Sequence, residues 1–115
     1  MTVSFSDKLL ATIADTTDIS NAIVRAQIHD ATSISILSPN GLPVDTFVIQ
    51  VTADPAGLVG WCTLKDRDGN NAFVPAANEA CWYPELPSFG AFRIKDVTGV
   101  VTGDQVFSIV KLHTI

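Results

Sequence analysis

Apolar and polar residues alternate along much of the chain with a period of two residues. In residues 46–53, one face carries Phe47, Ile49 and Val51, and mostly polar residues lie between them. This period is typical of a half-buried β-strand, because successive side chains of a strand point to opposite faces. Residues 32–37 alternate in the same way and stop at a turn containing Pro and Gly, which predicts a second strand.

Further segments bring the number of predicted strands to about eight, at the spacing of roughly 8 to 12 residues that is typical of a sandwich. They are residues 10–14, 22–25, 58–64, 72–75, 80–83, 91–95 and 105–112. The last segment is apolar on both faces, as expected for a central strand. The sequence therefore predicts one all-β domain over residues 1–115, a two-sheet antiparallel β-sandwich of jelly-roll type with a short N-terminal arm at about 1–9.

Composition supports the β class. The chain has ten Asp but two Glu and four Lys, so the straight-chain residues that populate exposed helix faces are scarce. Val, Ile and Thr together contribute 33 residues, and β-branched side chains favour strands. One helix remains an alternative at residues 6–14, where Ser6 is a candidate cap.

Charge excludes several classes of function. The net charge is −5, and the seven basic residues are scattered, so no basic stripe exists that would bind nucleic acid. No apolar stretch approaches a membrane span, and the first residues lack the features of a signal peptide, so we expect a chain made and folded in the cytoplasm without membrane contact. Only 17% of the residues are charged while 47% are hydrophobic, which indicates apolar surface reserved for a partner.

Candidate catalytic groups are few. His29, Asp30 and Cys62 form a conceivable triad, and His113 is the other candidate base, but no motif presents a nucleophile. We therefore expect no enzymatic activity. The matching Trp-Cys and Cys-Trp pairs at Cys62 and Cys81 allow either a disulfide across two strands or two reduced, buried thiols.

Two clusters of acidic residues are candidate binding sites. Glu79 and Glu85 flank Trp82 and Tyr83, an arrangement that resembles a sugar-binding site. Residues 66–70 imitate the start of a calcium loop, but residue 77 is Ala where the loop needs a Glu, and a hairpin turn explains the same residues. We therefore expect no cofactor and no metal.

Aromatic residues in loop-like settings are the candidates for a partner interface. They are Phe5, Trp82, Tyr83 and Phe89, of which Trp82 and Tyr83 are equally compatible with a lid on the core. Trp61, inside a predicted strand, is expected in the core.

The order of several segments resembles small structural proteins of tailed bacteriophages. The segments are residues 12–14, 18–23, 33–39, 47–54, 61–64, 68–69 and 92–95. The resemblance covers residues 10–112 and implies a capsid cement, staple or decoration protein. Such proteins form homodimers or homotrimers on the outside of the shell and clamp neighbouring major capsid proteins. The acidic charge agrees with an outer position, because packaged DNA would repel it.

Other functions remain open at this point. A phage tail or head-fibre component has the same size and class. A carbohydrate-binding module would use Trp82 and Tyr83 as a platform, and an enzyme would need His29 or His113.

Overall fold

The computed structural model describes residues 3–5 and 9–114, and the side chains of residues 9–112. Nine strands form two antiparallel sheets in this part of the chain. They are β1 (Val3–Phe5), β2 (Leu9–Ile13), β3 (Ile23–Val24), β4 (Ser33–Leu37), β5 (Phe47–Thr52), β6 (Cys62–Thr63), β7 (Ala80–Tyr83), β8 (Ala91–Asp96) and β9 (Gln105–Thr114). A short helix α1 (Arg25–Ile28) follows β3, and a 3-10 helix (Leu86–Ser88) precedes β8.

Both sheets are four strands wide. Sheet A has the order β2-β9-β4-β7, and β1 lies along the same edge of β9 as β2. Sheet B has the order β3-β8-β5-β6. The antiparallel pairs β2/β9, β3/β8, β4/β7 and β5/β6 are nested along the sequence, so each pair encloses the next. The predicted all-β sandwich is confirmed.

The core lies between the two sheets. Alternate residues of β8 and β9 point inward, and Phe92, Ile94, Phe107 and Ile109 have no exposed surface. Phe47 of sheet B meets Phe107 of sheet A edge to face, with ring centroids 6.0 Å apart, a favourable geometry for two aromatic rings. The alternation predicted for residues 91–95 is therefore the one that builds the core.

Several predicted elements differ from the structure. Residues 9–13 of the alternative helix form strand β2, while residues 6–8 lie outside the described residues. The predicted strand at residues 22–25 ends after Val24 in the helix α1, and residues 72–75 form no regular strand.

The predicted strand at residues 58–64 is reduced to the two residues of β6. Gly57 and Gly60 have φ angles of +66° and +77°, a left-handed conformation that keeps the preceding segment a loop. The prediction that Trp61 lies in the core is therefore wrong. Its ring is half-buried outside sheet B, with the guanidinium of Arg93 4.1 Å from the ring centroid.

Candidate functional site

The outer face of sheet A is an uncharged surface formed by four strands. Because Ile34 and Ile36 of β4 point into the core, Ser33, Ser35 and Leu37 point outward. The same alternation in the other strands turns out Leu10, Thr12, Ala80, Trp82, Val106, Ser108, Val110 and Leu112. None of these eleven residues in the described strands is charged.

Several large apolar side chains of this face reach solvent. Trp82 is 66% exposed, Leu10 47% and Leu37 39%. The register joins the strands into continuous rows, since Ser108 of β9 pairs with both Leu10 and Leu37. Four strands of about five residues cover roughly 19 by 17 Å, an area of about 300 Å² in which apolar side chains alternate with the hydroxyl groups of Ser and Thr. Exposed apolar patches are often functional.

The outer face of sheet B, in contrast, is covered by its own chain. The outward-facing Val48 and Thr52 of β5 are only 2% and 3% exposed. The loop of residues 54–60 lies over this end of the sheet, where the Thr52 hydroxyl donates to the Val59 carbonyl at 2.6 Å. The position of a Cβ on Gly57 would be 3.2 Å from the Ala91 Cβ of β8.

Hydrogen bonds hold this covering loop in place. The Asp54 carboxylate accepts the backbone N–H groups of Ala56, Leu58 and Val59 at 3.0, 2.9 and 3.3 Å. These bonds favour the ionised form and lower the pKa of Asp54. The loop is therefore a fixed part of the domain, whereas no comparable loop among the described residues is hydrogen-bonded over Trp82, Leu10 and Leu37 of sheet A.

Charged groups also distinguish the two outer faces. On sheet B, Lys95 binds Asp18 at 2.8 Å, and the Arg93 Nε donates to the Gln50 side chain at 2.7 Å. A partner that covers this side must desolvate or replace these interactions. A partner on the described residues of this face of sheet A meets aliphatic, hydroxyl and indole groups, so it has no charge to desolvate there.

The β2 edge of sheet A is closed by a side chain. The Asn21 amide accepts the Thr12 N–H at 2.8 Å and donates to the Leu10 carbonyl at 3.1 Å. These are the backbone groups that β2 turns away from β9, and an added strand would need them free. Contact through the face of sheet A is therefore better supported than strand addition at β2.

The predicted interface residues do not lie together. Trp82 is on the outer face of sheet A, but its neighbour Tyr83 points inward and is 5% exposed. The interface prediction for Tyr83 is corrected to a core position. Phe89 is half-buried against the core, and its carbonyl accepts a hydrogen bond from Arg25 at 3.2 Å. The Phe5 side chain lies outside the described residues, and the backbone of residues 3–5 of the predicted arm pairs with β9 of the same chain.

The burial of Tyr83 also removes the proposed sugar platform, because the Trp82 and Tyr83 rings lie on opposite faces of β7. The Tyr83 hydroxyl donates to the Phe73 carbonyl, which anchors the loop after the Asp66 turn to sheet A. Burial raises the pKa of Tyr83 well above its ordinary value of 10.0.

Tyr83→Phe is expected to lower the free energy of unfolding by about 1 kcal/mol, because it removes this one hydrogen bond and keeps the ring in the core. Urea denaturation measures the change, and Phe73→Ala, which keeps the acceptor carbonyl, is the comparison. A variant as stable as the parent would show that the bond contributes nothing.

The candidate catalytic residues are not assembled by the fold. His29 caps the C-terminus of α1, which follows β3, whereas Cys62 is on β6 at the opposite edge of sheet B. Three strand spacings, about 14 Å, separate these two edge strands. The His113 side chain lies outside the described residues. Glu79 and Glu85 are at opposite ends of β7, roughly 13 Å apart for four residues of strand, too far for paired carboxylates.

The two cysteines are on different sheets and are both free, so the alternative of a disulfide across two strands is excluded. Cys62 is exposed and Cys81 half-buried, which also corrects the prediction of two buried thiols.

The segment that imitates a calcium loop is a tight turn. The Asp66 Oδ1 accepts the N–H groups of Asp68 and Asn70 at 2.9 and 3.0 Å, and Gly69 has a φ of +84°. These bonds lower the pKa of Asp66 and occupy the carboxylate that a cation would need. Within the described residues, no group of three or more His, Cys, Asp or Glu side chains is placed to hold a metal.

A chelator is therefore expected to leave the melting temperature unchanged. Differential scanning calorimetry with and without EDTA measures this directly. A drop of several degrees on chelation would contradict the assignment of residues 66–70 as a turn stabilised by backbone hydrogen bonds.

Sequence reasoning missed Leu10, Leu37 and Val106 as candidate contact residues. The sequence does contain a signal for them, because each is an apolar residue at an outward position of an alternating strand, where a polar residue is usual. The two-sided apolar character of β9 pointed to the same face.

Comparisons with protein-family models, curated proteins and solved structures find no match to this chain. Among the described residues, no helix has the length and apolar character needed to cross a membrane.

Proposed function

We propose that this chain is a non-enzymatic virion structural protein, a capsid decoration or cement protein that binds the outer surface of a phage head. The outer face of sheet A is the surface that contacts the major capsid proteins. The observation that carries this proposal is the uncharged, open character of this face on a chain whose other sheet is covered by its own loop.

The resemblance to small phage proteins supplies the kind of partner, and two features of the molecule support it. The nested pairs β2/β9, β3/β8, β4/β7 and β5/β6 follow the strand pairing of a jelly roll, the fold type that the resemblance implies. The net charge of −5 favours the outside of the shell, away from the packaged DNA.

The size of the face favours an oligomer. Its area of about 300 Å² is less than half of the roughly 800 Å² that each partner buries in a standard interface. A single copy would therefore bind weakly. A homodimer or homotrimer presents two or three faces to neighbouring capsid proteins, and binding of the first raises the effective concentration for the others.

Addition of the purified protein to shells made from the major capsid protein of the same genome tests the proposal. We expect the protein to sediment with the shells at a fixed stoichiometry and to raise their melting temperature, because each bound copy stabilises the assembled state. The control is the same shell with an equal amount of an unrelated acidic protein.

Failure to bind the shells would overturn the proposal. Binding to purified tails or head fibres instead would show that the partner is one of these structures and not the capsid. Saturable binding on a glycan array that is lost in Trp82→Ala would favour a carbohydrate-binding module.

A further inference from the structure

Asp96 is the only charged residue among the buried residues of the described chain. It is the last residue of β8, and its side chain points to the same inward face as Phe92 and Ile94. It is 1% exposed. Its Oδ1 accepts the Thr98 N–H at 2.9 Å, whereas its buried Oδ2 has no donor among the neutral groups around it. An ionised carboxylate in this position is costly unless something else binds its second oxygen.

The group in reach of Asp96 is a second carboxyl. Asp45, in the loop before β5, meets Asp96 side chain to side chain. Two ionised carboxylates repel each other and form no hydrogen bond, but one proton between them provides the missing donor. The hydrogen bond to Asp96, followed by burial and the repulsion of the Asp96 charge, raises the pKa of Asp45 above its ordinary value of 3.8.

Among the described residues, no ion pair joins a basic side chain to Asp45 or Asp96. On β8, Arg93 and Lys95 point to the outer face of sheet B, where Lys95 binds Asp18. Asp45 itself is the only ionisable residue in residues 40–53, which include β5. On the loop of residues 97–104, the ionisable residue is Asp104, whose Oδ1 accepts the Asp15 N–H at 2.8 Å.

Two hydrogen bonds connect the two segments around the pair. The Thr46 N–H donates to the Thr98 hydroxyl at 2.7 Å, and the Val97 N–H donates to the Thr46 carbonyl at 2.9 Å. The local bond from the Thr98 N–H to Asp96 joins Thr98 to the pair. Next to them, Leu42, Val44 and Phe73 line an apolar groove of about 320 Å³ that Asp45 also borders.

We propose that Asp45 and Asp96 share one proton, and that its loss at higher pH releases residues 42–46 from the end of β8 and opens the groove beside Phe73. Asp45 is the member that moves, because Asp96 is fixed in a central strand and Asp45 lies in a loop. The proposal is independent of the capsid contact, since the groove and the outer face of sheet A share no residue.

The sign of the pH dependence follows from the raised pKa. The folded state binds the shared proton more tightly than the unfolded state, so its stabilising effect is full below pH 3.8 and is lost as pH rises through the pKa of Asp45. Asp18, Asp54 and Asp66 have lowered pKa values, so their contribution is lost only as pH falls below 3.8. We therefore expect the contribution of Asp45 to lower the melting temperature as pH rises above 3.8, opposite in sign to the contribution of the other three carboxylates.

Asp45→Asn replaces the shared proton by a permanent amide donor without a charge. The variant is expected to melt at a higher temperature than the parent at pH 7. On acidification from pH 7 to pH 4, its melting temperature is expected to rise less than that of the parent. Asp68→Asn, in the exposed turn, removes the same charge and serves as the control. Its melting temperature is expected to depend on pH as that of the parent does. Equal pH profiles of Asp45→Asn and the parent would overturn the proposal.

Nuclear magnetic resonance of the parent protein gives a second test that needs no variant. The side-chain carboxyl carbon of Asp45 is expected to titrate above pH 3.8. Exchange protection of the Thr46 and Thr98 amides, corrected for intrinsic rates, is expected to fall with it. An ordinary titration of Asp45 or unchanged protection would contradict the shared proton, as would saturable binding of Ca²⁺ to this pair at pH 7.

Discussion

Replacement of Trp82 by alanine is expected to weaken binding to the capsid shell by about 30-fold or more, the effect of removing a 2 kcal/mol hot spot. Trp82 is 66% exposed and stands on the uncharged outer face of sheet A, beside Ser35 of β4. An exposed indole on such a face gains most of its contact area only when a partner covers it. The free protein should therefore lose little stability. Titration of labelled protein against shells measures the affinity.

The chain provides a matched control for this substitution. Trp61→Ala removes the same side chain from the covered side of the sandwich, where the ring packs on Arg93. It is expected to lower the melting temperature but to leave the affinity for shells unchanged. Equal affinity of Trp82→Ala and the parent, or a loss in Trp61→Ala instead, would contradict the assignment of the docking face.

Gly90→Ala is expected to lower the free energy of unfolding by about 3 kcal/mol, the upper end of typical overpacking costs. A Cβ on Gly90 would lie 2.5 Å from the Ala53 carbonyl oxygen and 2.7 Å from two backbone carbons. The Gly90 N–H donates to the Thr52 carbonyl at 2.8 Å, so the strands cannot separate without losing this bond. For a domain of this size, the melting temperature should fall by about 12 °C.

Gly41→Ala and Gly99→Ala are the controls for this effect. An added Cβ meets no atom within 4 Å at either position. Both variants are expected to remain within about 0.5 kcal/mol of the parent. A Gly90→Ala variant as stable as these controls would show that the junction of β5 and β8 is looser than the structure indicates.

The alternation of apolar residues predicted much of the fold. Strand β7 has the predicted bounds, and Phe92 and Ile94 of β8 point inward as predicted. Strand β9, predicted to be central because residues 105–112 are apolar on both faces, has β2 on one side and β4 on the other. These elements are predictable because the burial of one face of a strand fixes its pattern locally.

The misplaced aromatics have a different cause. Whether Tyr83 or Trp82 points inward depends on the register of β7 against β4, a contact between residues distant in the sequence. Trp61 is apolar and follows an apolar segment, but Gly57 and Gly60 turn that segment into a loop over sheet B. The four-residue helix α1 is too short to produce a helical period.

The outer face of sheet A could be predicted only in part from the sequence, for the same reason. Its residues come from four strands, and Leu10, Leu37 and Val106 become neighbours only once the sheet order is known. The Asp45–Asp96 pair likewise requires the end of β8 and the loop before β5 to be brought together by the sheet.

Electron cryo-microscopy of the decorated shell tests the central claim most directly. The account predicts density for the domain on the outer surface of the shell, with Trp82 and the outer face of sheet A against the major capsid proteins. The covering loop of residues 54–60 would then face solvent. A map in which sheet A faces solvent and sheet B contacts the shell would contradict the account.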